Sequence, residues 1–137
     1  MERTFAIIKP DAVGRKLVGP IVTRIEQAGF RIAAMRQAHL TRREAEGFYA
    51  VHRGKPFFGG LTDFMSSGPV VLMVLEADGA IARWRDLMGA TDPAKAAPGT
   101  LRREYGTSIG SNATHGSDAP DTAAYEIGYF FRGLELI

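Results

Sequence analysis

At 137 residues with no cysteine, the chain is long enough for a single domain, 1–137, with its own core, and it holds neither disulfides nor thiolate zinc sites. Apolar residues make up 45% and charged residues 23%, which excludes a disordered chain, and a formal charge of +2 gives no argument for a polyelectrolyte partner despite a pI near 9.2. The first apolar run stops at Lys9, too short for a signal segment or a membrane span, so the composition fits a cytoplasmic, reducing setting.

In chain order, Thr4–Ile8 is apolar on both faces and predicts a central strand, ended by Lys9-Pro10-Asp11 because proline lacks an amide donor. This leaves a lysine at the strand tip. Val18, Ile21, Val22, Ile25 and Ala28 recur at helical spacing before Gly29, a favourable C-cap. Phe30–Leu40 predicts a second, more exposed strand with Ile32, Ala34, Ala38 and Leu40 on one face.

Thr41 and Glu44 have capping-box spacing, followed by Ala45, Phe48, Tyr49 and His52 along one helical face. After the breaker Gly54-Lys55-Pro56, the run Phe57, Leu61, Phe64, Met65 predicts a second short helix. Pro69–Leu75 is continuously apolar and predicts another buried strand. Asp78 can cap a helix burying Ile81, Trp84 and Met88 and ending at Gly89. A loop over 90–99 leads to a short helix near Thr100–Tyr105, then an irregular stretch, a short strand near Thr114 and a closing helix from about Ala119 to Arg132. Ala123, Ile127, Phe130 and Phe131 are its expected buried positions. The order suits an α+β, ferredoxin-like split βαβ sandwich: a four-stranded antiparallel sheet with helices packed on it.

Chemistry concentrates at Asn112-Ala113-Thr114-His115-Gly116-Ser117-Asp118. A neutral imidazole keeps one free lone pair near pH 7, so His115 can act as a nucleophile without a separate base. Gly116, lacking Cβ, would let a phosphate approach the backbone, and Ser117 and Asp118 can cap the helix that follows. A loop histidine beside an ordinary cap fits the same residues. Lys9, Arg85, Thr91 and Arg102 are scattered phosphate-binding candidates; gathered around His115 they would supply the fixed charge that phosphoryl transfer needs, and taken singly each is also an ordinary surface residue. No glycine-rich phosphate loop, no His-Glu-x-x-His and no aromatic RNA-binding strand signature is present, so side chains must hold any nucleotide.

These segments together resemble the nucleoside diphosphate kinase family. The resemblance runs through Ile7-Ile8-Lys9-Pro10-Asp11, Phe48-Tyr49-Ala50-Val51-His52, Pro56-Phe57-Phe58, Ser67-Gly68-Pro69-Val70-Val71, Met88-Gly89-Ala90-Thr91-Asp92-Pro93, Pro98-Gly99-Thr100-Leu101-Arg102 and the Asn112–Asp118 stretch. Asp92, where asparagine is common, and Arg103-Glu104-Tyr105 are the departures. The resemblance implies transfer of the γ-phosphoryl group of a nucleoside triphosphate such as ATP or GTP to a nucleoside diphosphate, through a phosphohistidine on His115 Nδ1. It further implies that Glu126 fixes the imidazole tautomer, that Ser117 bonds near that glutamate, and that Lys9, Tyr49, Arg85, Thr91 and Arg102 contact phosphates or the phosphohistidine. By the same resemblance Asn112 contacts the ribose, Phe57 and Ile109 flank the base, and Mg²⁺ rides on the nucleotide with no direct protein ligand. A homotetramer or homohexamer, with no membrane and no obligatory nucleic acid, is the implied assembly. Stacking reads no donor or acceptor pattern, so broad base acceptance is expected.

Overall fold

The computed structural model describes all 137 residues. Four strands, β1 (Glu2–Ile8), β2 (Arg31–Ala38), β3 (Val70–Ala77) and β4 (Thr114–Gly116), form one sheet in the order β2-β3-β1-β4, with every neighbouring pair antiparallel. Seven helices surround it: α1 (Pro10–Gly14), α2 (Val18–Gln27), α3 (Arg42–Phe48), α4 (Phe58–Met65), α5 (Ala80–Met88), α6 (Leu101–Tyr105) and α7 (Pro120–Phe130). This is the ferredoxin-like antiparallel arrangement expected from the order of elements.

Both faces of the sheet are covered, which is why Phe5–Ile8 of β1 and Val70–Leu75 of β3 are unbroken apolar runs. Ala6, Ile8, Met73 and Leu75 face Ile21 and Ile25 of α2 and Trp84 and Met88 of α5. On the other face, Phe5, Ile7, Leu72 and Val74 meet Ala45 and Phe48 of α3, Met65 of α4 and Phe131. All eight residues of β3 are buried. Each fully buried Val, Leu or Met there contributes roughly 1.5–3 kcal/mol, so β1 and β3 form an anchor that a three-residue β4 can lean on.

Several local expectations are corrected. Pro10 does end β1, but it also opens α1: at the first helical position its missing N–H is not needed, so the residue acts as an initiator. In β2 a register irregularity between Ile32 and Ala34 breaks the alternation, so Ile32 packs against the α2/α5 side while Ala33, Ala34, Ala38 and Leu40 join the opposite core. Asp78 does not cap α5. Gly79 precedes the helix at φ 65°, and the Ile81 N–H donates to Glu2 Oε1 at 2.8 Å, a carboxylate from the start of β1. Ser117 and Asp118 do not cap α7 either; Thr122 Oγ1 accepts from the Ala119 N–H at 3.0 Å and the Asp118 N–H at 3.2 Å. The closing helix stops at Phe130, with Phe131 buried just beyond it and Phe130 and Ile127 only half-buried. The Thr41/Glu44 capping box is present as expected, with 3.1 Å and 2.8 Å bonds.

Candidate active site

β4 places His115 opposite Ile7, Gly116 opposite Ala6 and Thr114 opposite Ile8 on β1. Side chains alternate across a strand, so His115 projects on the face of Phe5 and Phe48, while Gly116 turns to the face of α5. The ring of His115 has aromatic neighbours at 5.4 Å (Phe48), 6.1 Å (Tyr49) and 6.3 Å (Phe5) between centroids. The reading of Gly116 as an opening for phosphate is therefore corrected. A Cβ there would lie 2.5 Å from Met88 Cε and 2.6 Å from Trp84 Cδ1, so the glycine makes room for α5 on the opposite face from the imidazole. Trp84 Nε1–H donates to the His115 carbonyl at 3.1 Å and fixes the strand at that point.

The ring itself is held from α7. His115 Nε2 lies 2.9 Å from Glu126 Oε1, and the Ser117 hydroxyl donates to the same oxygen at 2.8 Å. Ser117 Oγ in turn accepts the Phe5 N–H at 3.2 Å, and its own N–H donates to the Phe5 carbonyl at 3.2 Å, so Ser117 continues the β4–β1 ladder. With a carboxylate as its partner, Nε2 carries the proton and Nδ1 keeps the lone pair.

The scattered cations meet around this strand. Lys9, 8% exposed, donates from Nζ to Asn112 Oδ1 at 2.8 Å, and Asn112 Nδ2 donates to the Thr91 carbonyl at 3.1 Å. The amide of Asn112 thus joins the tip of β1 to the loop after α5. Thr91 enters through its backbone, and its side chain is exposed. Arg102, also 8% exposed, donates to the carbonyls of Thr114 (2.9 Å) and Gly89 (3.1 Å), leaving Nε–H buried without a partner. Arg85 pairs with Asp118 at 2.6 Å on the surface. Burial, then the nearby Arg102 charge, pulls Lys9 down to about 8 against a smaller opposing pull from Asp11, and burial with Arg85 brings Arg102 to about 10. This cluster of close positive charges is ready for an anion. Burial, reinforced by Glu126, raises the Tyr49 phenol well above its usual value, so it stays protonated, and its hydroxyl has no protein partner.

Phe57 and Ile109 lie further out. Phe57 is 51% exposed at the start of α4, and its ring lies 5.2 Å from that of His52, which itself stacks on Tyr49 at 6.2 Å. Ile109 is 61% exposed on a turn closed by the Thr107 N–H to the Ser111 carbonyl at 2.9 Å.

Three contributors carry no clear signal in the sequence. Phe48 falls on a predicted helical face with nothing to link it to the imidazole, and Trp84 reads purely as core. Asp11 accepts the Ala113 N–H at 3.1 Å while the Ala113 backbone sits at φ 73°. A non-glycine residue in that region costs about 1–3 kcal/mol, the same order as a hydrogen bond to a charged acceptor. In the sequence Asp11 stands two residues after a strand-tip lysine, at the end of the Ile7–Asp11 block of the resemblance, with nothing that points to its partner at Ala113.

A family model described as nucleoside diphosphate kinase matches residues 2–136. The nucleoside diphosphate kinase of Syntrophotalea carbinolica is 64% identical over 137 residues, covering 100% of both chains, and that of Desulfotalea psychrophila matches at the same 64% over the same span. Among solved structures, an Aquifex aeolicus nucleoside diphosphate kinase superposes with a TM-score of 0.97 at 47% identity, covering 99% of each chain. A halophilic nucleoside diphosphate kinase from Halobacterium salinarum, in complex with CDP, gives 0.95 at 46% identity, covering 99% of this chain and 91% of that one.

Proposed function

The chain belongs to the nucleoside diphosphate kinase family, and from that premise we propose that His115 Nδ1 is the atom that carries the phosphoryl group between nucleotides. The activity is a phosphotransfer from a nucleoside triphosphate to a nucleoside diphosphate through a phosphohistidine. In the first half-reaction Nδ1 attacks the γ-phosphorus, the bond to the β-phosphate oxygen breaks and the diphosphate leaves. A terminal oxygen of the second diphosphate then attacks the phosphorus, and the N–P bond breaks to return the imidazole.

The 2.9 Å contact between His115 Nε2 and Glu126 carries this reading. It keeps the proton on Nε2, leaves Nδ1 free to attack, and lets the carboxylate stabilise the positive charge that grows on the ring. Ser117 holds that carboxylate from below. Lys9, Arg102 and Arg85 neutralise the oxygens of the transferred group, where removing one preorganised donor typically costs about 2–4 kcal/mol. The unpartnered Nε–H of Arg102 and hydroxyl of Tyr49 are donors suited to phosphate oxygens. Thr91 and Asn112 complete the grip on phosphate and ribose, and Phe57 with Ile109 holds the base by stacking and apolar contact alone.

Mg²⁺ would be carried by the nucleotide phosphates and would neutralise part of their charge. Two nearby carboxylates are engaged elsewhere, Glu126 by His115 and Ser117 and Asp118 by Arg85, and Asp11 has one oxygen on the Ala113 N–H. That suits a cation held by phosphate oxygens. The substrates are nucleoside tri- and diphosphates in general, as the CDP bound to the Halobacterium salinarum relative suggests by similarity. The 137 residues work as one domain, in the cytoplasm, within a homotetramer or homohexamer. What supports assembly is the outer edge of β2, which pairs with no further strand and exposes Met35 at 53%.

The test is incubation with γ-labelled ATP. Wild-type protein is expected to take up acid-labile, base-stable label that a nucleoside diphosphate removes, and His115→Ala to take up none, with turnover reduced at least about 10⁴-fold. Full labelling of His115→Ala would refute the assignment.

A further inference from the structure

Ala113 is the most constrained backbone position near the imidazole. Its φ of 73° and the bond from the Thr114 N–H to the Asn112 carbonyl at 2.9 Å define a γ-turn of the rare, left-handed-φ kind, two residues before His115. A glycine would adopt it freely, yet the residue is a fully buried alanine whose methyl belongs to the α2/α5 core. The turn is gripped from the β1 tip on both sides. The Lys9 N–H donates to the Ala113 carbonyl at 2.8 Å, and Asp11 Oδ2 accepts the Ala113 N–H at 3.1 Å. The other Asp11 oxygen is buried with no hydrogen-bond partner. The same carboxylate lies close enough to act on Lys9, whose ammonium holds Asn112, the first residue of the turn.

We propose that Asp11 is a positioning residue for phosphoryl transfer: its carboxylate locks the Asn112–Thr114 turn that sets where the His115 ring stands, and its negative charge, two residues from Lys9, favours the protonated form of that lysine. The proposal rests on the reading of His115 as the phosphate carrier. No other side chain accepts the Ala113 N–H, so without Asp11 a buried donor goes unpaired and the turn relaxes toward ordinary φ. Every such relaxation moves His115, because β4 begins at the next residue. Asp11 touches no reacting atom, so its loss should lower kcat with little change in KM for nucleotide.

Asp11→Ala, Asp11→Asn and the double variant Asp11→Ala/Ala113→Gly separate the two parts of the role. Asp11→Ala is expected to slow single-turnover labelling by γ-labelled ATP at least tenfold at near-normal KM. The double variant is expected to recover at least a third of the wild-type rate, because glycine holds positive φ without the carboxylate. Asp11→Asn keeps an acceptor for the turn but not the charge. It should stay within threefold of wild type at pH 7 while the alkaline fall of kcat/KM moves to lower pH. Wild-type labelling by Asp11→Ala, or a folded double variant no faster than Asp11→Ala, overturns the turn-locking role; an unshifted alkaline limb in Asp11→Asn overturns the charge role. If Asp11→Ala does not fold, the double variant and Asp11→Asn carry the same decision. His115→Ala measured alongside reports separately on the carrier assignment, since label retained there indicts His115 and says nothing against Asp11.

Discussion

At the proposed phosphate end of the site, Lys9, Arg102, Asn112 and Ser117 are no more than 8% exposed, and each is tied by hydrogen bonds to a different segment of chain. At the proposed base end, Phe57 and Ile109 are 51% and 61% exposed and belong to neither apolar core. The difference matches what each end has to do. Charge developing on a transferred phosphoryl group is stabilised best by donors fixed beforehand in a poorly solvated place. A base that need only be held, and not identified, asks for a flat apolar surface and nothing more. In the proposed reading, buried, hydrogen-bonded groups face the bond that changes, and the part of the substrate that varies faces exposed apolar side chains.

The sharpest way to break this comparison is at the rigid end. Arg102→Ala removes a buried cation and leaves the Gly89 and Thr114 carbonyls without their donor, so a loss of about 2–4 kcal/mol of transition-state stabilisation is expected in kcat/KM. Near-normal kinetics would mean the buried cations are structural only.

Lys9 tests the same end through pH. The folded protein holds this lysine near 8 against 10.5 for the free side chain. Between those values the unfolded chain binds the proton and the folded chain does not. Stability therefore rises with pH across that window, by up to about 3 kcal/mol, relative to a Lys9→Met variant that lacks the titration. Thermal midpoints with and without a nucleoside triphosphate should differ, because a bound anion keeps the lysine charged and suppresses the rise. Parallel curves for the two proteins would show that burial of Lys9 carries no such penalty.

At the soft end, Phe57→Ala is expected to weaken nucleotide binding by about 1–3 kcal/mol, by a similar amount for purines and pyrimidines, with the rate of the chemical step preserved. A loss confined to one base would show that this surface reads identity after all.

How much of this was legible depended on range. β1 and β3 announced themselves because a strand covered on both faces must be apolar throughout, and the Thr41/Glu44 box is a purely local device. The family pattern named the residues around His115 and Glu126, and folding brings these two into contact from β4 and α7. What stayed hidden were long-range jobs outside that family pattern. Asp78 looked like the cap of α5 by position, but Glu2, 79 residues from its partner, supplies the carboxylate. For Ser117 the resemblance pointed correctly to Glu126, but its position also suggested a helix cap, and its second bond, from the Phe5 N–H, had no signal in the sequence. Gly116 suggested space for a phosphate because it lacks a Cβ; pairing with β1 shows that the space belongs to Trp84 and Met88. Pro10 was read by its missing donor and not by its fixed φ, which is how α1 was overlooked.

Trp84 is the molecule's only tryptophan, and its indole N–H is bonded to the carbonyl of the residue proposed to be phosphorylated. The protein thereby has a built-in optical gauge. Its emission should step when a triphosphate loads the ring and step back when a diphosphate unloads it, so each half-cycle can be timed in a stopped-flow cuvette without any added dye.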